Sequence, residues 1–252
     1  MKIALAQVRS FKGDIARNVT KHRRYAEAAA ARNARMIVFP ELSLTGYEPS
    51  LAADLATTAE DRRLSELQYV CDRKAITIAA GLPTANERGV LISMIIFQPG
   101  MARVTYSKQI LHRDELPVFA EGRDDISLSI RGTRIAPAIC FESTRPEHGL
   151  KAAASGASVY LASVAKPSHG LEKAKVHYPA LATAHKMMVL LCNSVGQHDN
   201  FTSAGNSSAW TNDGKLIGQL DETSEGMLLV DIATQTSLSF DSHFMEVKSE
   251  VI

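Results

Sequence analysis

Short apolar runs alternate with longer amphipathic stretches through most of the chain, and that alternation leaves few architectures open. Lys2 to Val8 is a short apolar-rich run ended by the turn signal Lys12-Gly13-Asp14. Asp14 is placed to cap a helix over Arg17 to Ala34, in which Val19, Ala26, Ala29 and Ala30 share a face while Arg17, Lys21, Arg24 and Glu27 stay in water. Met36-Ile37-Val38-Phe39 then reads as a buried strand stopped by Pro40. A second helix is expected over Glu60 to Lys74 and a strand over Ile76 to Leu82. Two hairpins follow, Val90 to Gln98 with Met101 to Tyr106 about Pro99-Gly100, and Ile126 to Ile130 with Thr133 to Ile139 through Arg131-Gly132. Next come a helix near Pro146 to Ser155, a strand at Ala157 to Ala162, a helix within Leu171 to Lys186 that starts or kinks at Pro179, and a strand at Met188 to Cys192. The last quarter reads as strands at Ser207 to Trp210, Lys215 to Leu220 and Met227 to Ile232, with Asn212-Asp213-Gly214 as a hairpin turn. Helices interleaved with hydrophobic strands predict one layered α/β domain over residues 1–252, with a mixed sheet system and a tail at about 242–252.

Composition narrows the partners. Lys and Arg number 28 against 27 Asp and Glu, so no excess of positive charge points to nucleic acid or an anionic membrane. No apolar run is long enough to span a bilayer, and the N-terminal residues lack the apolar stretch of a secretory leader. Three widely spaced cysteines, Cys71, Cys140 and Cys192, suit a reducing cytoplasm better than a disulfide framework. A cytoplasmic, globular protein is expected.

Several catalytic signatures are absent: the dinucleotide Gly-x-Gly-x-x-Gly, the Gly-Lys-Ser/Thr phosphate loop, the His-Glu-x-x-His zinc helix and the Gly-x-Ser-x-Gly elbow. The eight His residues do not pair with Cys or carboxylates at metal-ligand spacings, so no metal site is expected. Polar residues at strand ends remain. Glu41 leaves the strand Met36 to Phe39 at its carboxyl end, Lys108 follows the strand ending at Tyr106, and Cys140 ends the strand from Thr133. Pro146 permits a helix start soon after Cys140, whose end could favour a thiolate. A nucleophile, a carboxylate base and a fixed cation at strand mouths are what acyl transfer needs. Taken singly, Cys140 could be a core thiol, Glu41 a turn cap, Lys108 a solvated charge and Glu115 part of a surface loop. Cys71 and Cys192, on a helix face and inside a strand, are read as structural.

Phe39-Pro-Glu41-Leu-Ser-Leu-Thr-Gly-Tyr47 resembles the first signature of the nitrilase superfamily, the carbon–nitrogen hydrolases. Tyr106-Ser-Lys108-Gln-Ile-Leu-His112, with Glu115 seven residues after the Lys, is similar to the second. Ala138-Ile-Cys140-Phe-Glu142, continuing to Pro146-Glu147, looks like the third, and Cys192-Asn193-Ser-Val-Gly196, Ser203-Ala-Gly205 and Asp213-Gly214-Lys215 resemble the family's later strand, loop and hairpin. Order and spacing carry the resemblance from Lys2 to about Ile232.

The resemblance implies a four-layer αββα sandwich of the nitrilase type and a homodimer or higher homo-oligomer. It implies Glu41 as general base, Lys108 as electrophilic helper, Cys140 as nucleophile and Glu115 as the second glutamate that positions substrate and Lys108. By the same analogy Tyr47, Phe141, Glu142 and Ser163 line the substrate pocket. The activity implied is hydrolysis of a small non-peptide amide through a Cys140 thioester, with no cofactor; an N-carbamoyl hydrolase and a nitrilase are the nearest alternatives. A catalytically silent binding or assembly module and a redox-sensing thiol protein are the alternatives from other classes. Two departures bear on substrate: Thr144 stands where many members have Arg, with Arg145 one later, and Phe141 stands where nitrilases proper tend to have Trp. The second favours an amide over a nitrile.

Overall fold

The computed structural model describes residues 1–242; the tail anticipated at 242–252 lies outside the described residues apart from its first position. Strands β1 (Lys2–Gln7), β2 (Ala34–Val38), β3 (Thr77–Asn86), β4 (Gly89–Phe97) and β5 (Val104–Ser107) come first. Then follow β6 (Leu128–Ile130), β7 (Thr133–Ile139), β8 (Val159–Val164), β9 (Met188–Asn193), β10 (Val195–Gln197) and β11 (Thr202–Ala204). The last are β12 (Ser208–Trp210), β13 (Leu216–Gln219), β14 (Gly226–Asp231) and β15 (Thr236–Asp241). Helices α1 (Ile15–Ala31), α2 (Ala52–Leu55), α3 (Ser65–Lys74), α4 (Pro146–Ala154) and α5 (Ser168–His185) connect them.

Among the described residues the strands form a seven-stranded sheet ordered β15-β14-β1-β2-β3-β4-β5, a six-stranded sheet ordered β13-β12-β9-β8-β7-β6, and a β10–β11 ribbon. Alternation of side chains along each strand gives every sheet two apolar faces to cover. On one face of the first sheet Ile3, Leu5, Met36, Val38 and Ala79 meet Ile135, Ile139, Val159, Leu161 and Leu190 of the second. On its other face Ala4, Ala6, Ile37, Ile78 and Ala80 pack under Val19, Tyr25 and Ala26 of α1 and Leu67, Val70 and Cys71 of α3. The outer face of the second sheet, through Ala138, Tyr160, Ala162 and Val189, carries Leu171, Ala174, Tyr178 and Leu181 of α5. The fold is therefore helix, sheet, sheet, helix: a four-layer αββα sandwich.

Asp14 caps α1 as expected, its side chain accepting from the Arg17 N–H. That helix stops three residues short of Ala34, because Asn33 turns left-handed at φ 64° and releases Ala34 into β2. α5 begins at Ser168 and runs through Pro179 instead of starting there. The backbone bond that proline cannot donate is offset by burial of Leu171, Ala174 and Tyr178 ahead of it. β10, β11 and β15 were not legible: the first two are short and polar, and β15 is an edge strand whose Leu238 is exposed.

Strands β1, β2 and β3 run parallel, as do β7, β8 and β9, while the antiparallel steps through β4 return β5 to the direction of β3. The segments following β2, β5, β7 and β8 thus leave their sheets in common directions. Ser163 of β8 ties the two sheets there, donating 2.8 Å to the carbonyl of Phe39.

Candidate active site

Glu41 sits in a tight turn between β2 and α2, with Leu42 left-handed at φ 51°. The turn is held against β3: Phe39 donates to Ala79, and Leu44 to Gly81, each at 2.9 Å. A Cβ at Gly81 would strike the backbone of Leu42 and Pro40, so only glycine lets the strand pass this close. The result is a carboxylate at 2% exposure in a place built from backbone.

Lys108 follows β5 directly, and its N–H continues the pairing by donating to Ile92 at 2.9 Å. Its fully buried ammonium donates to Glu41 Oε1 at 2.9 Å and to Glu115 Oε1 at 2.6 Å. Glu115, which could have been a surface residue, is 3% exposed because its other oxygen caps its own turn, accepting from the His112 N–H at 2.6 Å. Tyr47 adds a 2.8 Å hydrogen bond from its hydroxyl to Glu115 Oε1 and packs edge-on against Phe201.

Cys140 stands just beyond β7 in a left-handed conformation, φ 47°, at the head of the 3-10 turn Cys140–Thr144. Such a conformation costs a side-chain-bearing residue on the order of 1–3 kcal/mol and persists only where the surroundings enforce it. Glu142 enforces it here. Its carboxylate, at 0% exposure, accepts from the Ile139 N–H at 2.7 Å, the Gln109 N–H at 2.6 Å and the Tyr106 hydroxyl at 2.6 Å. One side chain therefore fastens the cysteine turn to the segment that carries Lys108. Behind the turn the Ser143 hydroxyl donates 2.5 Å to the Cys140 carbonyl and meets the Tyr178 hydroxyl at 2.7 Å.

The structure brings Glu41, Lys108, Glu115 and Cys140 into one cluster. Cys140 and the Glu41 carboxylate act on each other's charge, and Glu41 Oε2 accepts from the Ala165 N–H at 3.2 Å. The Cys140 Sγ lies 3.9 Å from the Ala165 carbonyl. Tyr47 reaches the cluster through Glu115, and Phe141, half-buried, packs edge-on against His112. Two of the residues expected on the pocket wall are committed elsewhere. Glu142 spends its oxygens on the turn just described, and Ser163, 1% exposed, spends its hydroxyl on Phe39. The sequence expectation missed Lys166, two residues past β8 and 8% exposed, whose backbone adjoins Ala165. Its signal was the one that marked Glu41 and Lys108, a charged residue directly after a buried strand.

Burial governs the electrostatics. It raises Glu41 above the ordinary carboxylate range, against the opposing pull of Lys108. Burial first, then the charge of Glu41, pushes the Cys140 thiol up to about 11, against the cations Lys166 and Lys108. No helix end holds the sulfur as a thiolate, contrary to the expectation drawn from Pro146: the residue heads a short 3-10 turn, and α4 begins six residues later. Lys108 is held above its ordinary value by Glu41, Cys140 and Glu115 despite burial, so it stays an ammonium. The resting cluster is a neutral thiol beside a hydrogen-bonded carboxylate that gains a proton readily. Among the described residues no three His, Cys, Asp or Glu side chains are grouped to hold a metal ion, and no helix is long and apolar enough to cross a membrane.

A family model described as carbon–nitrogen hydrolase matches residues 2–239. An amidase of Nesterenkonia sp. AN1 superposes with a TM-score of 0.84 at 25% identity, covering 92% of each chain. A variant of that amidase, described as showing Michael addition of acrylamide at its active-site cysteine, gives a TM-score of 0.84 at 23% identity over 99% of this chain and 96% of the other. An (R)-stereoselective amidase from Pseudomonas sp is 25% identical over 221 residues, 86% of this chain and 80% of the relative.

Proposed function

The chain belongs to the carbon–nitrogen hydrolase family and is an enzyme of that class, and from this premise we propose that it hydrolyses a small non-peptide amide through a thioester on Cys140. The observation that carries the reading is the buried cluster itself: Glu41 accepts from the Lys108 ammonium at 2.9 Å and from the Ala165 N–H at 3.2 Å, and the Ala165 carbonyl lies 3.9 Å from the Cys140 sulfur.

In the proposed first step the Cys140 thiol passes its proton to Glu41 as sulfur forms a bond to the amide carbon. The carbonyl π electrons move onto oxygen. Lys108 has two of its three N–H donors committed to Glu41 and Glu115, which leaves one for that oxygen; the Phe141 N–H is the second donor. Removing one such donor typically costs on the order of 3 kcal/mol of barrier stabilisation. When the tetrahedral adduct collapses, the C–N bond breaks and Glu41 returns its proton to the departing nitrogen. Water then loses a proton to Glu41 and its oxygen attacks the thioester. The carboxylic acid leaves, and sulfur recovers its proton from Glu41. The raised Glu41 suits this traffic, because a desolvated carboxylate takes a proton more readily than one in water and can return it to the leaving group. Glu115 acts by position, anchoring Lys108 and receiving Tyr47. The Michael adduct of acrylamide at the active-site cysteine of the Nesterenkonia amidase, a thioether, supports placing a reactive thiol at Cys140.

An ammonia assay over short aliphatic amides, ω-amides of dicarboxylic acids and carbamoyl amines tests the reading. Ammonia and the matching acid are expected from at least one simple amide, with loss in Glu41→Gln. Carbon dioxide released with the ammonia would redirect the reading to a carbamoyl substrate, and ammonia release unchanged in Glu41→Gln would overturn it.

A further inference from the structure

The hydrolase reading leaves the buried charge of Lys166 unused. Lys166 is 8% exposed, and its backbone is pinned on three sides: its N–H donates to Asn193 Oδ1 at 2.8 Å, and its carbonyl accepts from Asn193 Nδ2 at 3.1 Å and from the Ala204 N–H at 3.0 Å. The residue before it, Ala165, touches both the base and the nucleophile, through its N–H to Glu41 and its carbonyl 3.9 Å from the Cys140 sulfur. The lysine stem runs against the first turn of α5, its Cβ and Cγ at van der Waals distance, 3.6 and 3.7 Å, from the Cβ position of Gly170. The chain thus fixes Lys166, buried, one residue from the backbone that touches both Glu41 and Cys140.

Its charge differs in kind from that of Lys108. Lys108 is answered by two carboxylates, whereas among the described residues Lys166 has no carboxylate within ion-pair reach. The ionisable groups whose charges couple to it are Cys140, Tyr178, Glu41, Lys108 and His177. Cys140 leads those that keep Lys166 protonated, ahead of Tyr178 and Glu41. Reciprocally, Lys166 leads Lys108 among the charges that favour the Cys140 thiolate. A buried ammonium without a counter-ion is expensive unless the fold supplies negative charge when it matters. Here that charge arises on sulfur as Glu41 takes its proton.

We propose that Lys166 is a second ammonium of the active site, a positioning residue that offsets the negative charge gathering on Cys140 during attack. The proposal deepens the hydrolase reading and rests on it. Lys108 is then released to serve the carbonyl oxygen, while Lys166 serves the sulfur. It follows that the counter-charge for the nucleophile comes from the protein and not from the substrate, so a neutral amide suffices.

Lys166→Met and Lys166→Gln, two neutral replacements of different shape, are compared with Lys166→Arg in the full-length chain, with circular dichroism to select those that fold. Two quantities are read: the rate of Cys140 alkylation by iodoacetamide from pH 7 to 11, and kcat and KM on propionamide and on succinamate. In the neutral variants the alkylation profile moves upward by about one pH unit, roughly a tenfold slower reaction at fixed pH. The value of kcat on propionamide falls about 10- to 100-fold with KM within about threefold, and Lys166→Arg recovers part of both. An unshifted alkylation profile in either folded neutral variant overturns the proposal and leaves Lys166 a packing residue. A loss confined to the KM for succinamate also overturns it, making Lys166 a substrate anchor. Alkylation needs no turnover, so a shifted profile in an enzyme inactive on every amide would indict the hydrolase reading and spare the sulfur–lysine pairing.

Discussion

Cys140 and Cys192 belong to the same sheet, each at the carboxyl end of a parallel strand, and burial pushes both thiols upward. Cys192 is still inside β9 and faces the space between the sheets, where its Sγ donates 3.3 Å to the Ala6 carbonyl and 3.4 Å to that of Val38. Its neighbours there are backbone and hydrocarbon. Cys140 is one residue past β7 with a left-handed backbone, and there the charges of Glu41, Lys166 and Lys108 act on its thiol. Both sulfurs are desolvated, so desolvation alone does not set the proposed nucleophile apart. The difference is a turn of one residue, held by Glu142, that brings the sulfur under the charges of a carboxylate and two lysines.

The largest contrast is in activity. Cys140→Ala is expected to lower amide hydrolysis by at least about 1,000-fold, whereas Cys192→Ala keeps kcat/KM within about threefold and lowers unfolding stability by about 1 kcal/mol through the small cavity it leaves. Initial rates and urea midpoints measure both. Comparable rate losses in the two variants would erase the distinction between the sites.

A smaller effect is expected when the turn is loosened. Glu142→Gln nearly preserves shape but replaces an anionic acceptor with an amide that has one carbonyl oxygen for the Ile139 and Gln109 N–H groups. We expect kcat to fall about 10- to 100-fold with KM changed less, because the Cys140 and Lys108 segments lose their common anchor. Single-turnover and steady-state rates together read this. An unchanged kcat would mean that the left-handed turn holds itself.

The smallest effect is on stability at alkaline pH. The folded thiol of Cys192 ionises above its value in the unfolded chain, so its contribution is fully present below the unfolded pKa and is lost as pH rises past it. Relative to Cys192→Ala, the wild-type protein is expected to lose about 1 kcal/mol for each pH unit above pH 9. Urea unfolding at pH 8 and pH 10 measures the divergence, and parallel curves would contradict it.

Much of this was legible because burial leaves a plain mark on sequence. Runs such as Met36 to Phe39 and Met188 to Cys192 read as strands since both of their faces are covered, and the polar residue that follows such a run marks the edge of a sheet. Glu41, Lys108 and Cys140 stood out that way, and the resemblance of their flanking motifs grouped them before any geometry was known. What stayed hidden depends on side-chain direction. Glu142 lies two residues from Cys140, yet the 3-10 turn points it back into the protein toward Tyr106. Ser163 looked like a strand-end pocket residue, but its hydroxyl crosses between the sheets to Phe39. Lys166 carried the right local signal and was passed over, because nothing in linear order says that the loop after β8 returns to the sulfur.

Trapping the intermediate tests the whole account most directly. Intact-protein and peptide mass spectrometry on enzyme quenched in acid during turnover of a slowly hydrolysed amide should find the acyl mass on the Cys140 peptide, on neither the Cys71 nor the Cys192 peptide, and nowhere in Cys140→Ala. Turnover that proceeds with no acyl mass on Cys140, or at the same rate without its sulfur, would contradict it.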